Sequence, residues 1–307
     1  MFETLTKYGI IVAVDGTSES DAAVSWAAQE ASMRHEHVTL MHVVQPVAVN
    51  WPISPEQTTF AEWQEDNARH VIDHARDGLN AASEQPDAPD FRTEVLHEHP
   101  VDAFVDASKD ARMIVVGSHG KGAFGRLLLG SVSRGVVEHA HCPVAVIHTT
   151  EASAPVDRKA PVLLGVDGSP ASEAATEWAF DEASRRGVEL IALHAWSDVA
   201  VFPILGMDWR TYKGQGEELL AERLAGWQER YPDVRISRRL VCDTPAHWLI
   251  EESQNVQLIV VGRRGRGGFT GLRIGGVSAA VARSARVPVI VVPTRGANAV
   301  GPVAIAW

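Results

Sequence analysis

Cysteine is nearly absent from this sequence: Cys142 and Cys242 are the only two in 307 residues. They form neither a CxxC pair nor a spaced framework, which fits a reducing cytosol better than secretion. A basic excess is missing too. The formal net charge is −11, whereas sequence-independent binding to nucleic acid or to an anionic membrane surface needs surplus Lys and Arg. No apolar run approaches the ~18 residues of a spanning helix, and Met1 to Tyr8, with Glu3 and Lys7, hold no apolar signal segment. A soluble cytoplasmic protein with no nucleic-acid or membrane partner is expected. Three catalytic signatures are also lacking: GxxxxGK[ST], a GxGxxG directly after the first strand, and a GxSxG nucleophile elbow.

What the sequence does hold is a repeat. Asp15 and Asp167, Trp26 and Trp178, Ala31 and Ala183, and His42 and His194 all stand 152 residues apart. Further on, Gly117 and Gly262, Gly130 and Gly275, and Pro143 and Pro288 stand 145 apart, so the second copy is seven residues shorter in its middle. Two homologous domains follow, 1–150 and 160–295, joined by a small, polar, proline-containing linker. Residues 296–307 form an apolar-rich tail with no counterpart in the first copy.

Each copy reads as alternating strands and helices. The runs at 9–15, 38–44, 113–116 and 144–148, like those at 162–167, 190–196, 258–261 and 289–292, are largely apolar and β-branched without alternation, the first of each copy ending on an acid. Such strands are buried on both faces, as in a parallel sheet covered by helices. Helices are expected at about 19–33, capped by Ser18 or Ser20, at 60–82 after a loop over 50–57, at 216–230, and from Pro100 and Pro245, where proline suits a first turn. The fold class is therefore α/β, two tandem doubly wound domains, each a five-stranded parallel sheet of order 3-2-1-4-5 with helices on both faces. The last strand is the expected edge for a homodimer. Trp26 and Trp178 fall on apolar helical stripes and read as core; His42 and His194 read as packing residues.

In an open parallel sheet, ligands sit beyond the carboxyl ends of the strands, where the winding reverses. In this order that point lies between strands 1 and 4, so Asp15 and the glycine loop after Val116 face one crevice, as do Asp167 and the loop after Val261. Glycine lets backbone approach a ligand closely, and on that ground a Cβ at Gly117 or Gly262 is expected to intrude on the ligand. The amides of Gly130, Ser131 and Val132 open a helix N-terminus, a ready anion site, with hydroxyls at Ser131 and Ser133. Lys121, Arg126, Arg263, Arg264, Arg266 and Arg273 put positive charge on the loops of an acidic chain. Phosphate is the expected guest, with the acid accepting from ribose hydroxyls or holding Mg²⁺. His97, His99 and Glu94 do not supply an evident three-ligand set, so no separate metal site is expected.

Gly117, Gly120, nine residues, then Gly130 and Ser131 resemble the G-x-x-G-x9-G-[S/T] signature of the ATP-binding universal stress proteins. The resemblance extends over nearly the whole chain, through the strand-1 acids, Leu40-Met41-His42-Val43, and the closing CPV and VPV strands. It implies one ATP per domain, with Ala13, Asp15 and Val43 on the adenosine side, Val116 and Gly117 beneath, and Gly130, Ser131, Val132 and Ser133 at the phosphates. In the second copy the matching positions are Gly165, Asp167, Ala195, Val261, Gly262, Gly265, Gly275, Gly276, Val277 and Ser278. There Gly276 replaces the hydroxyl residue, keeping the amide donor. The family also implies a role in stress response, growth arrest or dormancy, with slow or no hydrolysis, Mg²⁺ near Asp15 and Asp167 as an accompaniment, and a regulatory protein partner. A Mg²⁺-dependent ATP hydrolase and a nucleotide-free dimerisation module are the alternatives.

Overall fold

Eight apolar, β-branched runs and two more polar segments, 91–97 and 236–241, become ten strands of one sheet in the computed structural model, which describes residues 6–46, 55–82, 89–119, 129–149, 157–195, 209–242, 244–265 and 273–294. In the first half, β1 (Ile10–Ala13), β2 (Val38–Val44), β3 (Phe91–His97), β4 (Met113–Gly117) and β5 (Val144–Ile147) alternate with α1 (Ser18–Arg34), α2 (Pro55–Ala82), α3 (Pro100–Ala107) and α4 (Ser131–His139). The second half repeats the series with β6 (Val162–Val166), α5 (Pro170–Arg186), β7 (Leu190–Ala195), α6 (Trp209–Arg230) and β8 (Ile236–Val241). It ends with α7 (Pro245–Glu252), β9 (Leu258–Gly262), α8 (Gly276–Ser284) and β10 (Val289–Val292). Each half is a parallel five-stranded sheet of the expected order.

Side-chain alternation along the strands feeds two cores. Ile10 and Val12 face α1 and α2, packing with Ala27, Val71 and Leu79, whereas Ile11 and Val116 face α3 and α4, packing with Phe104 and Val136. Both cores run through both halves without a break. Thr17, rather than Ser18 or Ser20, caps α1, accepting from the Ser20 amide, and Ser169 caps α5 in the same way. The second long helix starts at Pro55, inside the stretch expected as loop, because proline's missing N–H costs nothing in a first helical turn. No described helix is long and apolar enough to cross a membrane. Cys142 is buried, and burial pushes its thiol up to about 12, so it is inert.

The closing strands depart from expectation. β5 and β10 pair with each other, antiparallel, with Val144 opposite Val291 and Val146 opposite Val289. The edges expected to join two chains are thus consumed within one, so a homodimer cannot form through them.

Beside this seam the two halves exchange charges. Arg34 of α1 binds Glu30 on its own helix and Asp181 and Glu182 of α5, the Asp181 contact at 2.7 Å. Arg186 of α5 answers by binding Glu30 at 2.6 Å and Glu182 at 2.9 Å. Glu30 and Glu182 are 0 % exposed and Arg34 is 2 % exposed. Glu30 and Arg34 are related to Glu182 and Arg186 by the same 152-residue offset as the strand-1 acids, so the network is self-complementary about a pseudo-twofold axis. Trp26 and Trp178, expected as plain core, belong to it: Arg34 lies 4.5 Å from the Trp178 ring centre and Arg186 5.9 Å from that of Trp26.

Arg34→Met is expected to lower unfolding stability by about 3–5 kcal/mol, because Glu30 and Glu182 then share one guanidinium in a dry interface; denaturant titration checks this. The carboxyls also set a pH dependence. Burial, then the Glu182 charge, pushes Glu30 up to about 7; burial acts the same way on Glu182, yet Arg34 and Arg186 outweigh it and hold that carboxyl at about 2. A raised carboxyl stabilises the fold below its ordinary value of 4.5 and loses that contribution as pH climbs through about 7. Glu182 contributes in the opposite sense, its share being lost only as pH falls from 4.5 toward about 2. Stability should therefore decline from about pH 5 to about pH 7.5, and Glu30→Gln should flatten the decline. An unchanged slope in the variant would assign the titration elsewhere.

Candidate functional site

The strand-1 acids are held by the turn that follows them. Asp15 Oδ1 accepts from the Thr17 amide at 3.1 Å and from its hydroxyl at 2.6 Å. Gly16 supplies φ 77° at the bend, as Gly168 supplies φ 74° in the second half. Asp167 Oδ1 accepts from the Ser169 amide at 2.9 Å, but the Ser169 hydroxyl reaches across to the Arg264 carbonyl at 3.2 Å, tying the acid's turn to the glycine loop. His42 and His194 each donate Nδ1–H to the carbonyl just before the acid, Val14 and Val166, both at 2.7 Å. They orient the peptide that leads into the acid.

Across the crevice, the glycine loops are pinned at both ends. The Ser118 amide donates to Ile147 O, and the Ser118 carbonyl accepts from Gly130 N–H at 2.8 Å. In the second half Arg263 does the same with Val292 O and with Gly275 N–H, the latter at 2.8 Å. The Gly130 and Gly275 amides are therefore engaged, and the donors that helix geometry leaves open are those of the first turn: Ser131, Val132 and Ser133, and Gly276, Val277 and Ser278. Neither α4 nor α8 has a side-chain cap, unlike α1 and α5. Ser133 and Ser278 donate their hydroxyls back to Gly117 O and Gly262 O, each at 2.6 Å. Those hydroxyl protons hold helix to strand, while the Ser131 side chain is exposed.

Three sequence expectations need correction. The Gly130 amide, expected among the open anion donors, is spent on the Ser118 carbonyl because it closes the glycine loop. A Cβ on Gly117 would lie 2.8 Å from Glu19 Cβ, and one on Gly262 would lie 2.7 Å from the Ala171 carbonyl carbon. These glycines therefore admit the N-termini of α1 and α5 against the strand ends; they do not clear space for a ligand. Arg263 is no phosphate clamp either, since its Nη1 donates to Ala140 O in the other half at 2.6 Å. Arg264 and Arg273 are exposed on the loop. Gly120, Lys121, Arg126 and Arg266, the 296–307 tail and the loop residues 50–54 lie outside the described residues.

Ala13, Val43, Gly165 and Ala195 are partly exposed at strand ends, although most residues beside them along those strands are buried. Ala13, Val43, Leu96 and Val132 pack on the α3–α4 core, giving an apolar shelf beside Asp15 and the α4 N-terminus. In the second half, Gly265 comes so close to Asp167 that an added Cβ would lie 2.3 Å from Oδ2. The acid and the glycine loop thus meet directly. Sequence reasoning missed Thr17, Ser169 and Ser118; the first two are the N-cap residue types that precede a helix, a readable signal. A groove of about 630 Å³ between α6 and β8, lined by Glu217, Glu218, Arg238 and Arg239, lies along the sheet edge and contains none of these residues.

Among known proteins, the Universal stress protein family matches residues 9–148 and again residues 160–293. This chain belongs to the universal stress protein family. A universal stress protein of Mycolicibacterium smegmatis is 52% identical over 295 residues, covering 96% of this chain and 100% of the relative. One of Mycobacterium tuberculosis is 51% identical over 285 residues, covering 93% of this chain and 97% of the relative. The crystal structure of a universal stress protein from Archaeoglobus fulgidus shares the fold with a TM-score of 0.69 at 20% identity, covering 94% of this chain and 98% of that one.

In this universal stress protein the glycines separate into two kinds. Gly262→Ala should cost about 1–3 kcal/mol of stability, because the new methyl meets backbone of α5 that cannot yield cheaply. Gly265→Ala should cost less, since its methyl meets the carboxylate end of the Asp167 side chain rather than backbone, yet should disable whatever Asp167 holds. Thermal unfolding of both variants checks the contrast; equal losses would remove it.

Proposed function

We propose that this universal stress protein binds one ATP in each half and acts as a nucleotide-dependent regulator of stress response, growth arrest or dormancy. What carries the proposal is a juxtaposition made twice. An acid fixed by its own turn stands beside an uncapped helix N-terminus, at the open end of a parallel sheet. A nucleotide needs both: an acceptor for ribose hydroxyls and amide donors with a favourable dipole for phosphates. The apolar shelf of Ala13 and Val43 suits a flat base, and the same positions in the second half, Gly165 and Ala195, are smaller.

Asp15, Ala13 and Val43, over Val116 and Gly117, take the adenosine side of the first site; Ser131, Val132 and Ser133, following Gly130, take the phosphates. Gly165, Asp167 and Ala195, over Val261 and Gly262, take the adenosine side of the second, with Gly265 and, following Gly275, Gly276, Val277 and Ser278 at the phosphates. Mg²⁺ would arrive with the phosphates, since no cluster of three or more metal-ligating side chains exists among the described residues. Within this set the Ser133 and Ser278 hydroxyls position backbone, and the first-turn amides do the binding. No residue here is assigned to attack on the γ-phosphate, so turnover is slow or absent, and ATP serves to hold a conformation that a protein partner reads.

Mass spectrometry of ligand released from natively purified protein should identify ATP, at up to two equivalents per chain. Protein that carries none and binds none by calorimetry would leave an interaction module instead; rapid Mg²⁺-dependent phosphate release lost in Asp15→Ala would make it a hydrolase. Gly276→Ser should tighten the second site several-fold, by about one hydrogen bond to a charged group. A Cβ at Gly276 meets nothing within 4 Å, so the substitution tests the hydroxyl without strain.

A further inference from the structure

Arg263 stands where the first half has Ser118, and its two ends do different things. Its peptide belongs to the second glycine loop: the carbonyl holds Gly275 N–H, next to the first turn of α8. Its side chain leaves that site and crosses the β5–β10 seam to the carbonyl of Ala140, which ends α4. A second contact crosses the other way. His148, directly after β5, lies 3.0 Å through Nε2 from Ala282 O in the last turn of α8. A carbonyl only accepts, so Nε2 carries the proton. The neighbouring Ile147 carbonyl pins the first glycine loop through Ser118 N–H.

Each site helix is therefore held at its N-terminal end by its own glycine loop and at its C-terminal end by a side chain from beside the other loop. We propose that the two nucleotide sites of one chain are coupled with positive sign through these crossed tethers, Arg263 on α4 and His148 on α8. The coupling presupposes the nucleotide sites proposed above.

The sign follows from charge. The Arg263 Nε is buried and has no hydrogen-bond partner among the described residues. Burial, then the like charges of Arg264 and Arg273, disfavour its ionised form. Phosphates at the α8 N-terminus would offset Arg264 and Arg273, which steadies the charged guanidinium on Ala140 O; a cation is also favoured at a helix C-terminus. α4 is nine residues long, a single hydrogen-bonded rod, so fixing its C-terminus fixes the amides of Ser131, Val132 and Ser133. A site already ordered by its neighbour's ligand binds more tightly. Reciprocity requires the first site to tighten the second by the same factor.

The test uses full-length protein and ATP in isothermal calorimetry. Ser131→Tyr and Gly276→Tyr each place neutral bulk before one helix N-terminus, and each should bind one equivalent. The wild-type constant for binding both ATP molecules should exceed the product of those two single-site constants by about fivefold or more. With Arg263→Met in all three proteins the excess should vanish. His148→Phe, which cuts the other tether, supplies the same comparison if Arg263→Met does not fold. A wild-type constant equal to the product would overturn the coupling while leaving both sites standing, and an excess that survives loss of the tethers would overturn the route. Absence of any ATP binding would remove sites and coupling together.

Discussion

The antiparallel closure of β5 on β10 is the contact on which the rest of this structure depends. Each half ends in a strand with one unpaired edge, a row of free amides and carbonyls that must find a partner. Pairing those edges with one another joins two five-stranded sheets into one and brings α1 against α5. Only then do Glu30, Arg34, Glu182 and Arg186 lose water. Their mutual pairing is what makes that burial tolerable, since a carboxylate or guanidinium isolated in a dry interface would cost several kcal/mol. The seam also carries the sites. The amides of Ser118 and Arg263 hang from the carbonyls of Ile147 and Val292, so each glycine loop is suspended from the last residue of a seam strand.

Much of this was legible before any coordinates. β-branched runs without alternation read as doubly buried strands, and two constant offsets read as a duplication. The acids and glycine loops then fell on the same side of the sheet by topology alone. What stayed hidden shares one physical cause: its meaning depends on a partner far away in sequence. Glu30 and Arg34 look like an ordinary i,i+4 pair on a solvated helix face, and nothing local says that another half will cover them. The offset did hold the clue, since it maps Glu30 and Arg34 onto Glu182 and Arg186. Gly117 and Gly262 read as ligand clearance because a strand-end glycine facing a crevice and one facing a helix backbone look alike in sequence. The cap falls at Thr17 rather than at Ser18 or Ser20 because all three residues are competent caps, and sequence alone does not say which of them precedes the first helical turn.

Duplication within one chain also explains why the two sites differ. In a symmetric dimer every substitution appears on both sides of the axis, so an arginine placed to cross the seam would cross it twice. Here Ser118 is small and keeps to its own loop, while Arg263 at the matching position extends to Ala140. His148 likewise has Pro293 as its counterpart, which offers no side-chain donor. Such one-way contacts require that the halves be free to diverge. The buried Glu–Arg network, by contrast, kept its twofold pairing, because replacing one member would strand the charge opposite. The seam thus combines a symmetric charge lock, which sets how the halves meet, with asymmetric tethers that give each site a hold on the helix of the other.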